Sequence, residues 1–316
     1  MVDLPGALRL QAEYRDYVWG GRERLRPGRL TAEAWVVYEH DRIDSGPLAG
    51  RTLGEVAADY GAALLGRRAI ARTGMRFPLL IKLLDCEQWL SLQVHPNDEQ
   101  ATRLEGEGHF GKTEAWHILD ADAGATLIAG LQPGASPAAL AEAIRDGRII
   151  DLTEPLPVHP GDTLLMRAGT LHALGPGLFV YEVQQTSDLT YRVYDWGRPP
   201  TSARALHIDQ SIAVTDPTML ASATPAPDLG DGERAILCRT EYFSLELLQS
   251  QGRPLTLDTG GESFHALTVI EGLARLVAGQ GEVYPVAELD SVVVPAATGS
   301  YRVEAQPACR ILKASL

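Results

Sequence analysis

The chain has 316 residues, of which 45% are hydrophobic and 22% are charged, and its formal net charge is −13. This length is enough for two domains of ordinary size, and the negative charge argues against a nucleic acid as partner, because phosphate backbones bind basic surfaces. The apolar stretches fall well short of the roughly 20 residues that a membrane-spanning helix needs, so we expect no membrane partner either.

The amino terminus and the cysteines indicate a compartment. The opening segment, MVDLPGALRL, has no basic stretch followed by an apolar one, so we expect no secretory signal. Cys86, Cys238 and Cys309 are odd in number and widely spaced. This pattern favours free thiols in a reducing compartment over a disulfide framework. We therefore expect a cytoplasmic protein.

Short apolar segments separated by glycine and proline predict β-strands. In chain order the segments before residue 200 are 77–84, 90–95, 114–119, 126–129, 162–166, 178–184 and 191–194. Two other segments, 53–65 and 136–145, have apolar residues at helical spacing; Gly66 ends the first, and Ser136 with Pro137 begins the second. Many short strands with frequent turn residues favour a sandwich or a barrel.

Residues 221–233, ASATPAPDLGDGE, predict a linker because they are small, acidic and contain proline. Further strands are predicted after it, at 242–248, 266–271, 274–277, 291–294 and 301–304. We therefore expect one domain over 1–220 and a second, smaller β domain over 234–316. His265 and Glu271 of the second domain are expected to be structural, because the ligand-type residues there lack the spacing found in the first domain.

The segment LSLQVHP, residues 90–96, alternates apolar and polar residues. A strand sends successive side chains to opposite faces, so Ser91, Gln93 and His95 share one face. This face is either exposed to water or directed into a cavity, where Gln93 and His95 can converge on a metal ion. Taken alone, the segment favours exposure to water.

Two further segments strengthen the metal hypothesis. In GKTEAWHIL, Lys112 and Glu114 share a strand face, while His117 lies on the other. In GDTLLMRAGTLHALG, a tight turn at Ala-Gly-Thr places His172 on the next strand and can direct it back into a barrel. Two imidazoles, a carboxylate and an amide form a mixed nitrogen and oxygen site that suits Zn²⁺ or another divalent ion.

The segment YEVQQTSDLTYRVYDWGR, residues 181–198, supplies cations and a further carboxylate. Glu182 and Gln184 share a strand face, as do Arg192 and Tyr194. A protein of net charge −13 that binds an anion must place cations locally, and arginine suits phosphate because its fork donates two hydrogen bonds. The candidate cations are Arg192, Arg198, Lys112 and Lys82.

These motifs together resemble a known family. Gly-Asp followed by Ala-Gly-Thr-x-His is similar to the second motif of the cupin superfamily, small antiparallel barrels that bind a metal. The segments SLQVHPNDEQA, GKTEAWHIL, RAGTLHALGPG and EVQQTSDLTYRVYDWGR, with YVWGGRERL near the amino terminus, resemble the type I mannose-6-phosphate isomerases, in particular their short bacterial form. The resemblance covers almost the whole chain and is weakest after residue 220.

The resemblance implies a mainly β fold, with a cupin jelly-roll barrel, short helices and a second, smaller β-barrel or sandwich domain. It implies one Zn²⁺ per chain, or another divalent ion. We expect a monomer or homodimer. It also assigns three groups of residues: four metal ligands, two residues that bind the substrate, and three catalytic residues. The metal ligands are Gln93, His95, Glu114 and His172. The substrate-binding residues are Ser91 and Arg198, and the catalytic residues are Lys112, Arg192 and Glu182.

The chain departs from the family pattern in its motifs and in its loops. Gln93-x-His95 replaces the compact His-x-His of the first cupin motif, and the long helical insertion of larger members is absent, with 136–145 in its place. The proline expected in the second cupin motif is Ala168, and a long loop over 96–113 is predicted before the carboxylate. Interconversion of mannose 6-phosphate and fructose 6-phosphate moves a proton between C1 and C2 through a cis-enediol. In that reaction Lys112, Ser91 and Arg198 would orient the substrate, and Arg192 would stabilise the enediolate or the phosphate.

Glu182 is our first choice for proton transfer, with an outer carboxylate that orients a ligand or an arginine as the alternative. Three other functions remain open from the sequence. They are an iron-dependent cupin oxygenase, a non-catalytic sugar-phosphate-binding protein, and an isomerase of another phosphorylated sugar.

Overall fold

The computed structural model describes residues 3–199, 204–279 and 281–316, and strands dominate them, as predicted. The strands are β1 (Leu8–Gln11), β2 (Glu13–Arg15), β3 (Glu33–Val37), β4 (Arg42–Ile43), β5 (Leu79–Cys86), β6 (Leu92–Val94), β7 (Glu114–Ala121), β8 (Thr126–Ala129), β9 (Pro155–Pro157), β10 (Asp162–Met166), β11 (His172–Leu174), β12 (Leu178–Gln185), β13 (Tyr191–Tyr194), β14 (Thr224–Pro225), β15 (Glu233–Arg239), β16 (Ser244–Ser250), β17 (Leu255–Asp258), β18 (His265–Ala278), β19 (Glu282–Val286), β20 (Ser291–Val294) and β21 (Ser300–Ser315). The α-helices are α1 (Leu53–Tyr60), α2 (Ala62–Leu65), α3 (Arg67–Thr73), α4 (Asp98–Glu105), α5 (Pro137–Arg145) and α6 (Ile208–Val214).

Both predicted helices form, and the first is divided. Gly61 has a φ of 50° and separates α1 from α2, because this backbone conformation interrupts a right-handed helix. The second prediction is confirmed: α5 begins at Pro137, and the hydroxyl of Ser136 accepts a hydrogen bond from the Ala139 N–H at 3.1 Å.

The prediction of a loop over 96–113 is wrong for residues 98–105, which form α4. Ala101 is the buried residue of this helix, so the sequence has no apolar stripe to reveal it. The helix is marked instead by its start, where Asn97 and Gln100 each accept a hydrogen bond from the other's backbone N–H, at 2.8 and 2.9 Å. This capping box is readable in the sequence as Asn97-x-x-Gln100.

The chain divides into two compact units that differ from the predicted domains. The terminal unit contains the residues up to 13, 35–82 and 226–316, and the central unit contains 14–34 and 83–225. Sequence reasoning assigned everything up to residue 220 to one domain. The difference arises because β1 pairs with β20, with Leu8 opposite Val293. Local sequence patterns do not reveal such a distant pairing.

Antiparallel sheets build both units. The terminal unit has the strand order β15-β16-β21-β18-β20-β1-β4, with β17 on β21 and β19 on β18. The central unit has a five-stranded sheet of order β13-β6-β11-β8-β9 and, from a larger sheet, the strands β14-β10-β7-β12. Within the described residues, none of the helices is long and apolar enough to span a bilayer.

Two apolar cores fix the strand faces of the central unit. Trp116 and Ile118 of β7 share one core with Leu174 of β11, so these faces of the two sheets pack together. Leu92 and Val94 of β6 belong to the other core, which contains residues of α5 and α6. Gln93, which lies between them in sequence, and His95, two residues further on, therefore face the interior between the sheets.

Candidate metal centre

Three antiparallel strands bring the predicted ligands to one interior region. Gln93 of β6 lies directly opposite His172 of β11, and directly opposite residues of antiparallel strands project to the same side. Glu114 begins β7, on the same face as Trp116 in the shared core. Successive side chains of a strand alternate between its two faces. This alternation places Gln93 of β6 and His95, which directly follows that strand, on the interior side, and it places Glu114 on the interior face of β7.

The distances between these side chains are short. The Nε2 atom of His172 lies 3.1 Å from Glu114 Oε1, and that of His95 lies 3.5 Å from Glu114 Oε2. One ligand atom from each of these residues lies within 4.8 Å of the others. The amide nitrogen of Gln93 is 3.5 Å from His95 Nε2 and 3.3 Å from His172 Nε2.

The outer faces of both imidazoles are held by the backbone. His95 Nδ1 lies 2.8 Å from the Leu189 carbonyl oxygen, and His172 Nδ1 lies 2.8 Å from the Thr170 carbonyl oxygen. A carbonyl only accepts, so each Nδ1 carries the proton and each Nε2 presents a lone pair to the carboxylate. Two lone pairs and a carboxylate facing one another suit a shared cation, so this donor set fits a divalent metal.

Electrostatics favour the ligand form of each group. His95 is 1% exposed, and burial, followed by the charge of Lys112, lowers its pKa well below the usual range, which keeps the imidazole neutral. Burial opposes the charged form of Glu114, but the charge of Lys112 outweighs it and holds the pKa of Glu114 well below its usual range. The Nζ of Lys112 is 2.8 Å from Glu114 Oε2.

Gln93 presents its amide nitrogen to the imidazoles, and its Oε1 atom lies 3.5 Å from the Ser91 hydroxyl, which donates to it. The oxygen and nitrogen of a carboxamide exchange places by a half turn about the terminal bond. That rotation places an oxygen, the atom that binds metals, next to both Nε2 atoms. Ser91 is buried, at 5% exposed, and lies at the edge of this group.

Glu182 is also buried, and it contacts a tryptophan. It is 3% exposed, and its Oε2 atom accepts a hydrogen bond from the Trp116 indole N–H at 2.9 Å. The Trp116 ring packs edge-on against the His172 ring, with 5.2 Å between centroids. Sequence reasoning missed Trp116, although its place two residues after Glu114 puts it on the same strand face.

The predicted cations have different surroundings. Arg192 lies opposite Gln93 across the β6–β13 pair, and its Nη1 donates to the Ala205 carbonyl at 3.1 Å. The guanidinium of Arg198 donates to Asp195 at 3.1 Å and to the Trp89 carbonyl at 2.7 Å, so a carboxylate offsets its charge. Lys82 belongs to the terminal unit, where its Nζ lies 5.3 Å from the centroid of the Trp35 ring.

The chain is similar to characterised families and solved structures. A family model for the catalytic domain of type I phosphomannose isomerases matches residues 7–112. The chain is 34% identical to a mannose-6-phosphate isomerase of Streptococcus mutans, covering 93% of this chain and 94% of the other. It is 33% identical to the mannose-6-phosphate isomerase ManA of Bacillus subtilis, covering 94% and 95%.

A solved structure has the same fold. The crystal structure of the mannose 6-phosphate isomerase from Bacillus subtilis superimposes with a TM-score of 0.87 at 29% sequence identity, covering 99% of this chain and 100% of the other. The structure of a putative mannosephosphate isomerase from Archaeoglobus fulgidus superimposes with a TM-score of 0.78 at 23% identity, which shows a similar fold.

Proposed function

This chain belongs to the type I mannose-6-phosphate isomerases, which are aldose–ketose isomerases, and we propose that it performs the reaction through a cis-enediol at a zinc centre. The observation that carries the proposal is the convergence of the His95 and His172 Nε2 atoms on the buried carboxylate of Glu114. The substrate is a sugar phosphate. The proposal includes a cytoplasmic location and a monomer or homodimer.

Gln93, His95, Glu114 and His172 are the residues that would hold the metal. A bound divalent ion polarises a carbonyl or hydroxyl group of the sugar and so stabilises negative charge on oxygen. Zinc suits the mixed nitrogen and oxygen donors and the buried, backbone-anchored imidazoles. Another divalent ion in place of zinc is the alternative.

The remaining residues of the site bind the sugar and stabilise charge. Lys112 places a buried ammonium beside Glu114, where it would orient the substrate and stabilise the developing enediolate. Ser91 would donate its hydroxyl to the sugar. Arg192 projects on the side of Gln93, which supports contact with the enediolate or the phosphate. Arg198 would orient the substrate, although its contacts with Asp195 and Trp89 equally support a role in holding its own segment.

Glu182 remains our proposed group for proton transfer between C1 and C2. Its interior position on the strand face of Gln184 and Trp116 supports the assignment. The alternative is a positioning role: Glu182 would hold Trp116 by the indole hydrogen bond, and the Trp116 ring would hold His172.

A coupled assay for fructose 6-phosphate formed from mannose 6-phosphate tests the reaction. We expect turnover with mannose 6-phosphate to exceed that with other hexose phosphates. Chelation should abolish turnover, and re-addition of Zn²⁺ should restore it. Activity that survives complete removal of metal would exclude the metal role, and a higher rate with another phosphorylated sugar would change the substrate.

A further inference from the structure

The Lys112 ammonium lies against Glu114, although the lysine precedes the first residue of β7. It is 3% exposed, and its ammonium is 2.8 Å from Glu114 Oε2. The strand β7 begins only at Glu114, so ladder hydrogen bonds do not fix the backbone of Lys112. Because a lysine side chain is long and flexible, the placement of its ammonium depends on what holds residues 111–113.

Asp98 and Gln185 hold this backbone on both sides of Lys112. The Gly111 N–H donates to Asp98 Oδ1 at 2.7 Å, and the Thr113 N–H donates to Gln185 Oε1 at 2.9 Å. The Gln185 amide also donates to the same Asp98 oxygen, at 2.9 Å. We call these contacts the Asp98–Gln185 bridge; it links the start of α4, the end of β12 and the segment that carries Lys112.

Close packing adds to the bridge. A Cβ atom on Gly111 would lie 2.5 Å from the Asn97 carbonyl carbon and 2.5 Å from the Asp98 nitrogen, so the backbone of residue 111 packs directly on the start of α4. The Lys112 N–H donates to the Pro96 carbonyl at 2.9 Å. Every backbone N–H from 111 to 113 therefore has a fixed acceptor.

We propose that Asp98 and Gln185 are positioning residues for the isomerisation, which hold the Lys112 ammonium against Glu114 in the reactive geometry. The proposal rests on the role of Lys112 in the proposed function. The reason is geometric: small displacements of an aligned group cost catalysis steeply, without a comparable cost in binding. The bridge is built from neutral amides and one carboxylate oxygen, so it fixes position rather than supplying a reacting group.

A matched pair of substitutions at one position tests the bridge. Asp98→Ala removes the oxygen that accepts from Gly111 and Gln185, whereas Asp98→Asn retains an acceptor oxygen. We expect Asp98→Ala to lower kcat by about 10-fold with KM and metal content little changed, and Asp98→Asn to restore most of it. Gln185→Leu should reproduce the Asp98→Ala pattern. Glu99→Ala, in the same helical turn, is the control for loss of helix charge and should keep wild-type kcat.

A double-mutant cycle with Lys112→Met separates this proposal from the proposed function. If Asp98 acts through Lys112, Asp98→Ala should have little further effect in the Lys112→Met background. A Lys112→Met variant with wild-type kcat would overturn the role of Lys112 itself. If Lys112→Met lowers kcat and Asp98→Ala multiplies the loss by its full factor, the bridge has no positioning role. Equal losses in Asp98→Ala and Asp98→Asn would overturn it in the same way.

Discussion

Two buried carboxylates of the central unit have opposite surroundings. Glu114 faces the Lys112 ammonium, which stabilises its charge, and the Nε2 atoms of two imidazoles. Glu182 faces the indole N–H of Trp116. A pair of carboxyl groups in such different environments is suited to different tasks. This contrast supports Glu114 as a metal ligand and leaves Glu182 for proton transfer or for positioning.

Substitution of Glu182 by glutamine distinguishes these two roles. The amide keeps an oxygen that accepts from Trp116 but does not exchange a proton with the sugar. If Glu182 transfers the proton, we expect kcat to fall by roughly 10²- to 10⁴-fold with metal content unchanged. Steady-state kinetics and metal analysis check this. Near-wild-type turnover would assign Glu182 to positioning, in which case Trp116→Phe should lower kcat more than Glu182→Gln does.

Loss of one imidazole should release the metal. We expect His172→Ala to lower metal affinity by more than the roughly 10- to 100-fold typical of changes to groups around the ligands, because it removes a ligand atom itself. His159→Ala is the control, since its side chain is 82% exposed. Metal bound per chain after dialysis is the measurement. Equal metal content in the two variants would contradict the ligand role of His172.

At the scale of elements, α4 connects local helix stability to the site. Its capping box lies at Asn97 and Gln100, and its first residue, Asp98, accepts from Gly111. The helix is only eight residues long, and helices of this length depend on their caps and on packing. Fraying of its first turn would therefore displace the backbone of Gly111.

Removal of the two N-caps should separate stability from activity. Asn97→Ala in α4 and Ser136→Ala in α5 each remove one side-chain cap, and each should destabilise the protein by about 1 kcal/mol. We expect kcat to fall only in Asn97→Ala, because the start of α4 contacts the segment that carries Lys112. Denaturant unfolding and kinetics of both variants check this. A comparable loss of kcat in Ser136→Ala would show a general stability effect instead.

At the scale of the whole molecule, the fold is mainly β and matches that of a mannose 6-phosphate isomerase, so the prediction of a cupin-type fold is confirmed. The terminal unit contains buried polar groups of its own. His265 Nδ1 lies 2.7 Å from the Tyr301 hydroxyl, and the Lys313 ammonium lies 2.6 Å from a Glu246 oxygen. These groups supply no ligand to the candidate metal centre, and we expect them to act on stability.

His265 should make global stability depend on pH. Burial, followed by the charges of Lys313 and Arg234, lowers its pKa from 6.5 to about 3. The unfolded chain therefore binds a proton below pH 6.5 that the folded chain rejects until about pH 3. The stability that depends on a neutral His265 is therefore fully present above this pH window and is lost as the pH falls through it. The free energy of unfolding should decrease by about 1.4 kcal/mol for each pH unit as the pH falls through it.

A variant without the imidazole isolates this contribution, because other groups also titrate in the window. We expect His265→Gln to have a shallower dependence of the free energy of unfolding on pH between about 6 and 4 than the wild type. Denaturant unfolding at several pH values measures both slopes. Identical slopes would show that His265 is not the source.

The sequence alone determined the strand faces of the site. Alternation of period two places Gln93 on the face opposite Leu92 and Val94, and this alternation is a local property of the backbone. Lys112 was predicted on the strand face of Glu114, but it precedes β7, and contacts from Asp98 and Gln185 hold its backbone. Ser136 and Pro137 likewise predicted the start of α5, because the start of a helix depends on adjacent residues. The family followed from the same short motifs, since they carry the chemistry.

Tertiary structure alone decided how those faces meet and what holds them. The contact between Trp116 and Glu182 joins residues 66 apart in the chain, and that between Asp98 and Gln185 joins residues 87 apart. The pairing of β1 with β20 sets the division into units in the same way. Such contacts depend on which strands become neighbours, and that choice is made by burial of the whole apolar surface rather than by any local pattern.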